Sequence, residues 1–308
     1  MKKTVEVVIP TFNEEQNVDE IYSRIQTLSK NEKEYDFRIL FIDNCSTDKT
    51  QEKLRILSDK DKNVKLIFNQ KNFGSSKSHY WGIMNTSSDI VIVIAGDLQE
   101  PPELISTFLR NWEKGFKIVM GVKKFNFSIG YLIRKTFYLF LKKISEQQVV
   151  PNSTGFGLYD KVIIDELKKI YEPYPFFRSL ALEFGYPVTT VEFDFEKRKE
   201  GKSKISIFEL YQIGISGIIN NSMIPIRVSS FLGILIGVIS IIISILFLVL
   251  KIIYWHSFST GYAPIIITLF FLMGLIFIFL GLLGEYIGST IKYLKKRPLV
   301  IEKERINF

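Results

Sequence analysis

The chain has almost no cysteine: Cys45 is the only one in 308 residues. That excludes an intramolecular disulfide framework and fits a reducing compartment. Histidine is nearly as scarce, with His79 and His256 as the 2 present. Neither a zinc cluster nor a Ser/His/Asp set can be assembled from them. Charge is missing from two long stretches, residues 231–250 and 263–284. Each has roughly the 20 apolar residues that cross a bilayer core of about 30 Å. No signal peptide is expected, because Glu6 and Pro10 interrupt the very short apolar run after Met1-Lys2-Lys3. No internal repeat or low-complexity segment stands out.

The segment between the two apolar stretches is short and carries Tyr254, Trp255, Phe258 and Tyr262. Aromatic rings favour the membrane interface. A transmembrane hairpin is therefore expected, with both ends on one side. Lys292, Lys295, Lys296 and Arg297 follow it, Arg227 precedes it, and the outer loop contributes only Lys251. The positive-inside rule then puts both flanks in the cytoplasm. The formal net charge of +8 points to anionic lipid and phosphate rather than nucleic acid, since part of it flanks the spans. Just before the first span, Ile205, Phe208, Tyr211, Ile215 and Ile218 recur at helical spacing. Ser206, Glu209, Gln212, Ser216 and Asn220 occupy a neighbouring polar face. This predicts an amphipathic helix lying in the interface plane, with an ordinary helix packed on the soluble part as the competing reading.

Upstream, apolar β-branched runs predict strands over 5–9, 37–42, 64–68, 90–95 and 118–122. Between them lie predicted helices over 14–29, from Ser46 or Thr47 to about 58, over 75–85 and over 101–114. Strands alternating with helices imply a mostly parallel α/β sheet covered on both faces. Ligands bind such sheets beyond the carboxyl ends of the strands. Acidic residues gather there: Glu14 and Glu15 after the first strand, Asp43 at the end of the second, Asp97 and Glu100 after the fourth. Carboxylates at one sheet edge repel each other unless a cation joins them. A divalent cation held by one or two carboxylates and substrate phosphates does this.

These residues resemble a known family. Residues Val8-Ile9-Pro10-Thr11-Phe12-Asn13-Glu14-Glu15, Asp43 with Ser46-Thr47-Asp48, Asn72-Phe73-Gly74 and Asp97-Leu98-Gln99-Glu100-Pro101-Pro102-Glu103 are similar to family 2 glycosyltransferases. More narrowly they look like the polyprenyl-phosphate sugar transferases, such as dolichyl-phosphate mannose synthase and bactoprenol glucosyltransferases. Arg198 with Gly201-Lys202-Ser203-Lys204, Pro225-Ile226-Arg227, the two spans and Gly284-Glu285-Tyr286 extend the resemblance over nearly the whole chain.

The resemblance implies an A-type nucleotide-sugar transferase fold. Pro10, Thr11, Glu14, Asp43 and Asp97 would bind the nucleotide, with Asp43 accepting from the base. Asp97 and Gln99 would ligate Mg2+ or Mn2+. Lys123, Arg134, Arg198, Ser203 and Lys204 would hold the acceptor phosphate, with Arg178 and Lys197 as further basic candidates. Asp97, Arg198 and Lys204 are the expected catalytic residues. Three places depart from the family pattern. Ala95-Gly96-Asp97 stands where the family usually has Asp-Ala-Asp, Asp43-Asn44-Cys45-Ser46 where it has Asp-Asp-Gly-Ser, and Phe156-Gly157-Leu158 where it has Phe-Arg-Leu. The Gln-x-x-Arg-Trp motif of processive synthases is absent, which argues for one sugar per acceptor.

The expected organisation is a cytoplasmic catalytic domain over 1–202 and a juxtamembrane amphipathic segment over 203–228. A transmembrane hairpin over 229–288 follows, with spans at about 231–253 and 263–286, and then a cytoplasmic basic tail over 289–308. The expected activity is inverting transfer of one sugar, from a nucleotide-sugar such as a UDP-hexose to a polyisoprenyl phosphate such as undecaprenyl phosphate. The expected location is the inner (plasma) membrane, the product would serve cell-envelope glycosylation, and self-association is compatible with this. The alternatives are transfer to a glycan or protein hydroxyl, and a non-catalytic membrane scaffold.

Overall fold

The computed structural model describes residues 2–124, 150–172, 175, 177–194, 224–253, 262–295 and 297–308. The chain divides into two compact units. One comprises Met1–Lys142, Gln147–Lys204 and Lys296–Phe308, the other Lys143–Glu146 and Ile205–Lys295.

The first unit contains β1 (Lys3–Thr11), α1 (Val18–Asn31), β2 (Tyr35–Asp43), α2 (Thr50–Lys60), β3 (Val64–Asn69), α3 (Ser75–Met84) and β4 (Ile90–Val93). It continues with α4 (Leu104–Glu113), β5 (Ile118–Lys123), β6 (Ser153–Asp160), α5 (Lys161–Leu167), α6 (Phe177–Leu180), β7 (Val188–Phe193) and, from the C-terminus, β8 (Glu302–Ile306). The strands form one 8-stranded sheet in the order β7-β5-β6-β4-β1-β2-β3-β8. Strands β1, β2, β3 and β4 pair in parallel.

Side chains alternate across a strand, so each central strand feeds two cores. Val7, Ile9, Phe41 and Ile92 pack on one face with Ile21, Ile25, Leu54 and Phe108. Val8, Leu40, Ile42 and Val91 pack on the other with Tyr80, Ile83 and Ile163. Covering both faces is what lets the central strands be apolar throughout.

The sheet departs from an uninterrupted parallel order at β6, which runs antiparallel between β4 and β5. β5 then pairs in parallel with β7. Sequence pattern hides β6 because Gly155 and Gly157 break its alternation. The helix expected from residue 14 begins at Val18. Residues before it form a turn in which Glu14 O accepts from the N–H groups of Asn17 (2.9 Å) and Val18 (3.1 Å).

Within the segment read as a basic tail, β8 pairs antiparallel with β3. Its alternating charges look like solvated chain, yet they make specific contacts. Arg55 donates to both carboxylate oxygens of Glu304 (2.9 and 2.6 Å). Asn307 Nδ2 donates to Ser58 O and Val64 O, each at 2.9 Å. Trp81 Nε1 on α3 donates to Glu302.

The second unit holds α7 (Ile224–Ile253, 30 residues) and α8 (Tyr262–Leu294, 33 residues) over the two uncharged stretches. Their described side chains are largely apolar and many are exposed, among them Phe231, Ile242, Ile252, Ile265 and Ile278. The side chains of both helices are described in part. Among the described residues, no helix is long and apolar enough to cross a membrane. The predicted amphipathic helix lies outside the described residues.

Asp160 joins three elements. It caps α5 through Val162 N (3.0 Å) and accepts from Trp112 Nε1 (2.7 Å) and Lys117 Nζ (2.8 Å). Burial pushes its carboxyl up, but these donors together hold it below the usual carboxylate range. Its contribution is therefore present above the unfolded value and is lost as pH falls through the folded one. Asp160→Ala removes the shared acceptor of three donors and should cost about 2–3 kcal/mol in chemical denaturation at pH 7, with the difference from wild type shrinking toward pH 3. Deleting residues 299–308 removes several hydrogen bonds worth about 1 kcal/mol each and bares the β3 edge. Circular dichroism should show a lower melting temperature, and light scattering more aggregation.

Candidate active site

Parallel pairing brings three loops to one edge of the sheet. Thr11, the last residue of β1, lies opposite Asp43, the last of β2. Asn44 N donates to Thr11 O at 2.9 Å. Beyond β4, a Cβ added at Gly96 would sit 3.2 Å from Pro10 O and 3.2 Å from Thr11 Cγ2. A side chain there would crowd both atoms, so glycine lets the loop carrying Asp97 pass close to β1. Pro10, Thr11, Glu14, Asp43, Asp97 and Gln99 therefore lie on loops and strand ends at one rim.

Each of these loops contains a non-glycine residue with left-handed backbone: Asn13 (φ 57°), Cys45 (φ 66°) and Leu98 (φ 57°). Such residues cost about 1–3 kcal/mol each and persist only where surroundings over-determine them. The first two loops hold each other. Asn13 N donates to Ser46 Oγ (2.9 Å), Thr47 N to Asn13 Oδ1 (2.8 Å), Glu14 N to Thr50 Oγ1 (2.8 Å) and Lys49 N to Glu15 Oε2 (2.9 Å). The third loop is anchored by Leu98, which is buried in the core beneath the site. Asp97 and Gln99 on either side stay half-buried, with Gln99 N donating to Asp97 Oδ1 at 3.3 Å.

Asp43 is fully buried. Its Oδ2 accepts from Ser46 N (3.0 Å) and Gln51 Nε2 (2.7 Å). Its Oδ1 has no partner among the described residues. Burial pushes the carboxyl up against the opposing pull of the Ser46 and Gln51 hydrogen bonds. A buried acceptor left open costs about 1–3 kcal/mol, which makes this oxygen a candidate to receive a donor.

Asn44, where the family has its second acid, organises the neighbouring loop. Its Oδ1 accepts from Phe73 N (3.0 Å) and Asn69 Nδ2 (3.1 Å), and its Nδ2 donates to Asn72 Oδ1 (2.8 Å). An aspartate could not make the last contact, because it has no donor. At Ala95, the backbone N–H donates to buried Glu100 (2.9 Å), which holds the turn where the first family acid is missing. Gly157 has a steric reason: a Cβ there would lie 2.6 Å from Val119 O, so β6 in this position has no room for an arginine. His79 uses Nδ1–H within its own helix, on Ser75 O at 2.8 Å.

Lys123 ends β5. Strands β4 and β5 are both antiparallel to β6, so Lys123 lies at the same rim as Asp97. Arg134, Arg198, Ser203 and Lys204 lie outside the described residues, as does Lys197, and so does the side chain of Arg178.

The family model for glycosyl transferase family 2 matches residues 6–167, which contain every rim residue named above. The chain belongs to glycosyl transferase family 2. This glycosyltransferase is 31% identical to an uncharacterized glycosyltransferase of Synechocystis, over 96% of this chain and 93% of that protein. It is 29% identical to the bactoprenol glucosyl transferase of Shigella phage SfX, over 98% of this chain and 99% of the other. Among solved structures it is similar to a mannosyltransferase from Pyrobaculum calidifontis in complex with GDP-Man and Mn2+, with 14% identity, a TM-score of 0.48, and coverage of 70% and 61%. A glucosyl-3-phosphoglycerate synthase from Mycobacterium tuberculosis with Mn2+ and UDP gives 18% identity, a TM-score of 0.48, and coverage of 70% and 78%. The mostly parallel mixed α/β sheet agrees with the A-type fold expected of the family.

The enzyme's rim also suits a divalent cation. Asp97 and Gln99 offer hard oxygen donors on one turn, and among the described residues no group of three or more His, Cys, Asp or Glu side chains gathers as a cage. Magnesium-type sites use one or two carboxylates and complete the shell with substrate phosphates and water.

Two variants check the strain and the buried charge. Cys45→Gly removes the steric cost of left-handed backbone and should raise stability by about 0.5–1 kcal/mol by denaturant titration. Asp43 has a folded value above its unfolded one, so its contribution is present at low pH and lost as pH rises. Asp43→Asn should therefore melt no lower than the parent at pH 7, with the parent gaining on it as pH falls toward 4.

Proposed function

We propose that this glycosyltransferase moves one sugar, with inversion, from a nucleoside-diphosphate sugar to a polyisoprenyl phosphate at the cytoplasmic face of the plasma membrane. The observation that carries this reading is the extent of the likeness to the phage bactoprenol glucosyl transferase. It spans 98% of this chain, and so includes α7 and α8 as well as the sheet. A likeness confined to the nucleotide-binding half would say nothing about the acceptor.

The membrane reading draws on the complete sequence. Residues 231–250 and 263–284 carry no charge, and each run has roughly the 20 residues that span a bilayer. Exposed apolar side chains along both helices suit lipid contact. The topology agrees as well. The chain leaves the sheet-bearing unit at residue 204 and rejoins it at 296, and β8 pairs in the same sheet as β1. Any crossings in between must be even in number, with which a hairpin that keeps both termini on one side is compatible. Lys292, Lys295, Lys296 and Arg297 then mark that side as cytoplasmic.

The chemistry follows from the groups involved. Asp43 Oδ1 accepts a ring N–H of the donor base, while Pro10, Thr11 and Glu14 border the base and ribose. A divalent cation at Asp97 and Gln99 would neutralise charge developing on the departing diphosphate. The acceptor is a phosphate monoester whose second pKa is about 6, so it is already ionised at pH 7. It needs no strong base, only cations that bring two anions together. Lys123, Arg134, Arg198 and Lys204 supply that charge in this reading, and the Ser203 hydroxyl adds a hydrogen bond to the acceptor phosphate. A phosphate oxygen bonds to the anomeric carbon from one face. The bond to the donor diphosphate breaks on the other, and its electron pair leaves with the diphosphate. The glycolipid formed is an activated sugar for later envelope glycosylation.

The test is incubation of the full-length protein with undecaprenyl phosphate and radiolabelled UDP-glucose, UDP-N-acetylglucosamine or GDP-mannose. Label from one donor should enter the organic phase, and a chelator should stop this. Label found only in a water-soluble glycan or protein would overturn the lipid acceptor, and no nucleotide binding at millimolar UDP or GDP with Mn2+ would favour the scaffold. Asp97→Ala should lower the transfer rate by about 100-fold or more. Arg198→Ala should abolish transfer while nucleotide binding survives; equal loss of both would count against its place on the acceptor.

A further inference from the structure

Among the described residues Asp43 is gripped from one side only, and the grip involves a residue outside every sequence motif. Gln51 lies in the first turn of α2. Its Nε2 donates to Asp43 Oδ2 at 2.7 Å and to Ser46 O at 3.2 Å. Both partners are acceptors, so the amide has one workable orientation. Turned over, its oxygen would face two oxygens. Ser46 N takes the same Oδ2 at 3.0 Å, while Oδ1 stays buried without a partner among the described residues.

We propose that Gln51 is a positioning residue for the donor base, locking the Asp43 carboxylate so that Oδ1 alone faces a base bearing a ring N–H, of the uracil or guanine kind. The inference deepens the nucleoside-diphosphate-sugar reading given above and rests on it. A carboxylate free to turn can offer either oxygen, or both, to exocyclic amino groups as well as to ring N–H groups. One pinned at Oδ2 offers a single acceptor in a single direction. Cytosine and adenine carry a ring-nitrogen lone pair where uracil and guanine carry N–H. That lone pair would meet a buried oxygen with no proton between them, which rejects these bases rather than merely failing to hold them. Removing Gln51 leaves Oδ2 with fewer donors and lets the carboxylate rotate, so discrimination falls along with affinity.

Calorimetry on the full-length protein in detergent, with Mn2+ and each of UDP, CDP, GDP and ADP, tests this. Wild type should bind UDP or GDP at least tenfold more tightly than its partner lacking the ring N–H, CDP or ADP, on the order set by one buried hydrogen bond. Gln51→Met, which keeps the side chain's length, should weaken the preferred diphosphate about tenfold and narrow the ratio to its partner. Gln51→Glu keeps the shape, places an anion against Asp43 and should do the same more strongly; it carries the readout if Gln51→Met fails to fold. A Gln51 that only supports the fold would weaken both members of a pair alike, with the ratio unchanged. That result overturns the proposal, as does wild-type affinity and ratio in both variants. Wild type binding none of the four nucleotides would overturn the donor reading, and this inference with it.

Discussion

Parallel pairing of β1 with β2 on one side and β4 on the other is the constraint on which the rest depends. A parallel sheet delivers every strand's carboxyl end to the same rim. Three loops must then turn back into helices within a few ångströms of one another. Thr11 is the meeting point: opposite Asp43 in the ladder, bonded through its carbonyl to Asn44, and touched by Gly96 from the third loop. The left-handed residues Asn13, Cys45 and Leu98 are the local consequence of that crowding. Asparagine tolerates such backbone, whereas cysteine and leucine do so only under compulsion. Reciprocal hydrogen bonds supply it for Cys45's loop, and burial of the Leu98 side chain supplies it for the loop of Asp97.

The rim is stable in spite of its central group. A fully buried carboxylate with one oxygen open works against folding at neutral pH, and the donors from Ser46 and Gln51 offset only part of that. What the arrangement secures is preorganisation: an acceptor already desolvated and already aimed needs little rearrangement when a donor arrives. The same logic explains the family departures as substitutions with a local fit. Asn44 can donate where an acid could not, Glu100 braces the turn at Ala95, and β6 leaves no room beside Gly157 for a longer side chain.

The sheet-bearing unit is also discontinuous in sequence. Strand β8 arrives after α7 and α8, closes the β3 edge by antiparallel pairing, and is tied to α2 through Glu304 and Asn307 and to α3 through Glu302. Its contact with Trp81 reaches α3, which follows the loop ordered by Asn44. A cut placed before α7 would therefore remove part of the fold along with the apolar helices.

Strands β1 to β4, their helices and the acids at the rim were legible in the sequence because their signals are local. An apolar run such as Val7-Val8-Ile9 or Ile90-Val91-Ile92 declares a covered strand, and Val18, Ile21, Ile25 and Leu28 declare one face of a helix. The position of Asp43, Asp97 and Gln99 at one edge followed from strand order alone. What only tertiary structure decided is whatever depends on partners distant in the chain. β6 is broken by glycines and β8 is masked by alternating charge, so neither carries a periodic signal; each is a strand because a neighbour's edge is open. Gln51 reads as an ordinary helix residue until the fold sets its amide against a buried carboxylate. Periodicity records which side of an element faces the core, while pairing, register and the grip on a single oxygen arise from contacts that no short stretch of sequence contains.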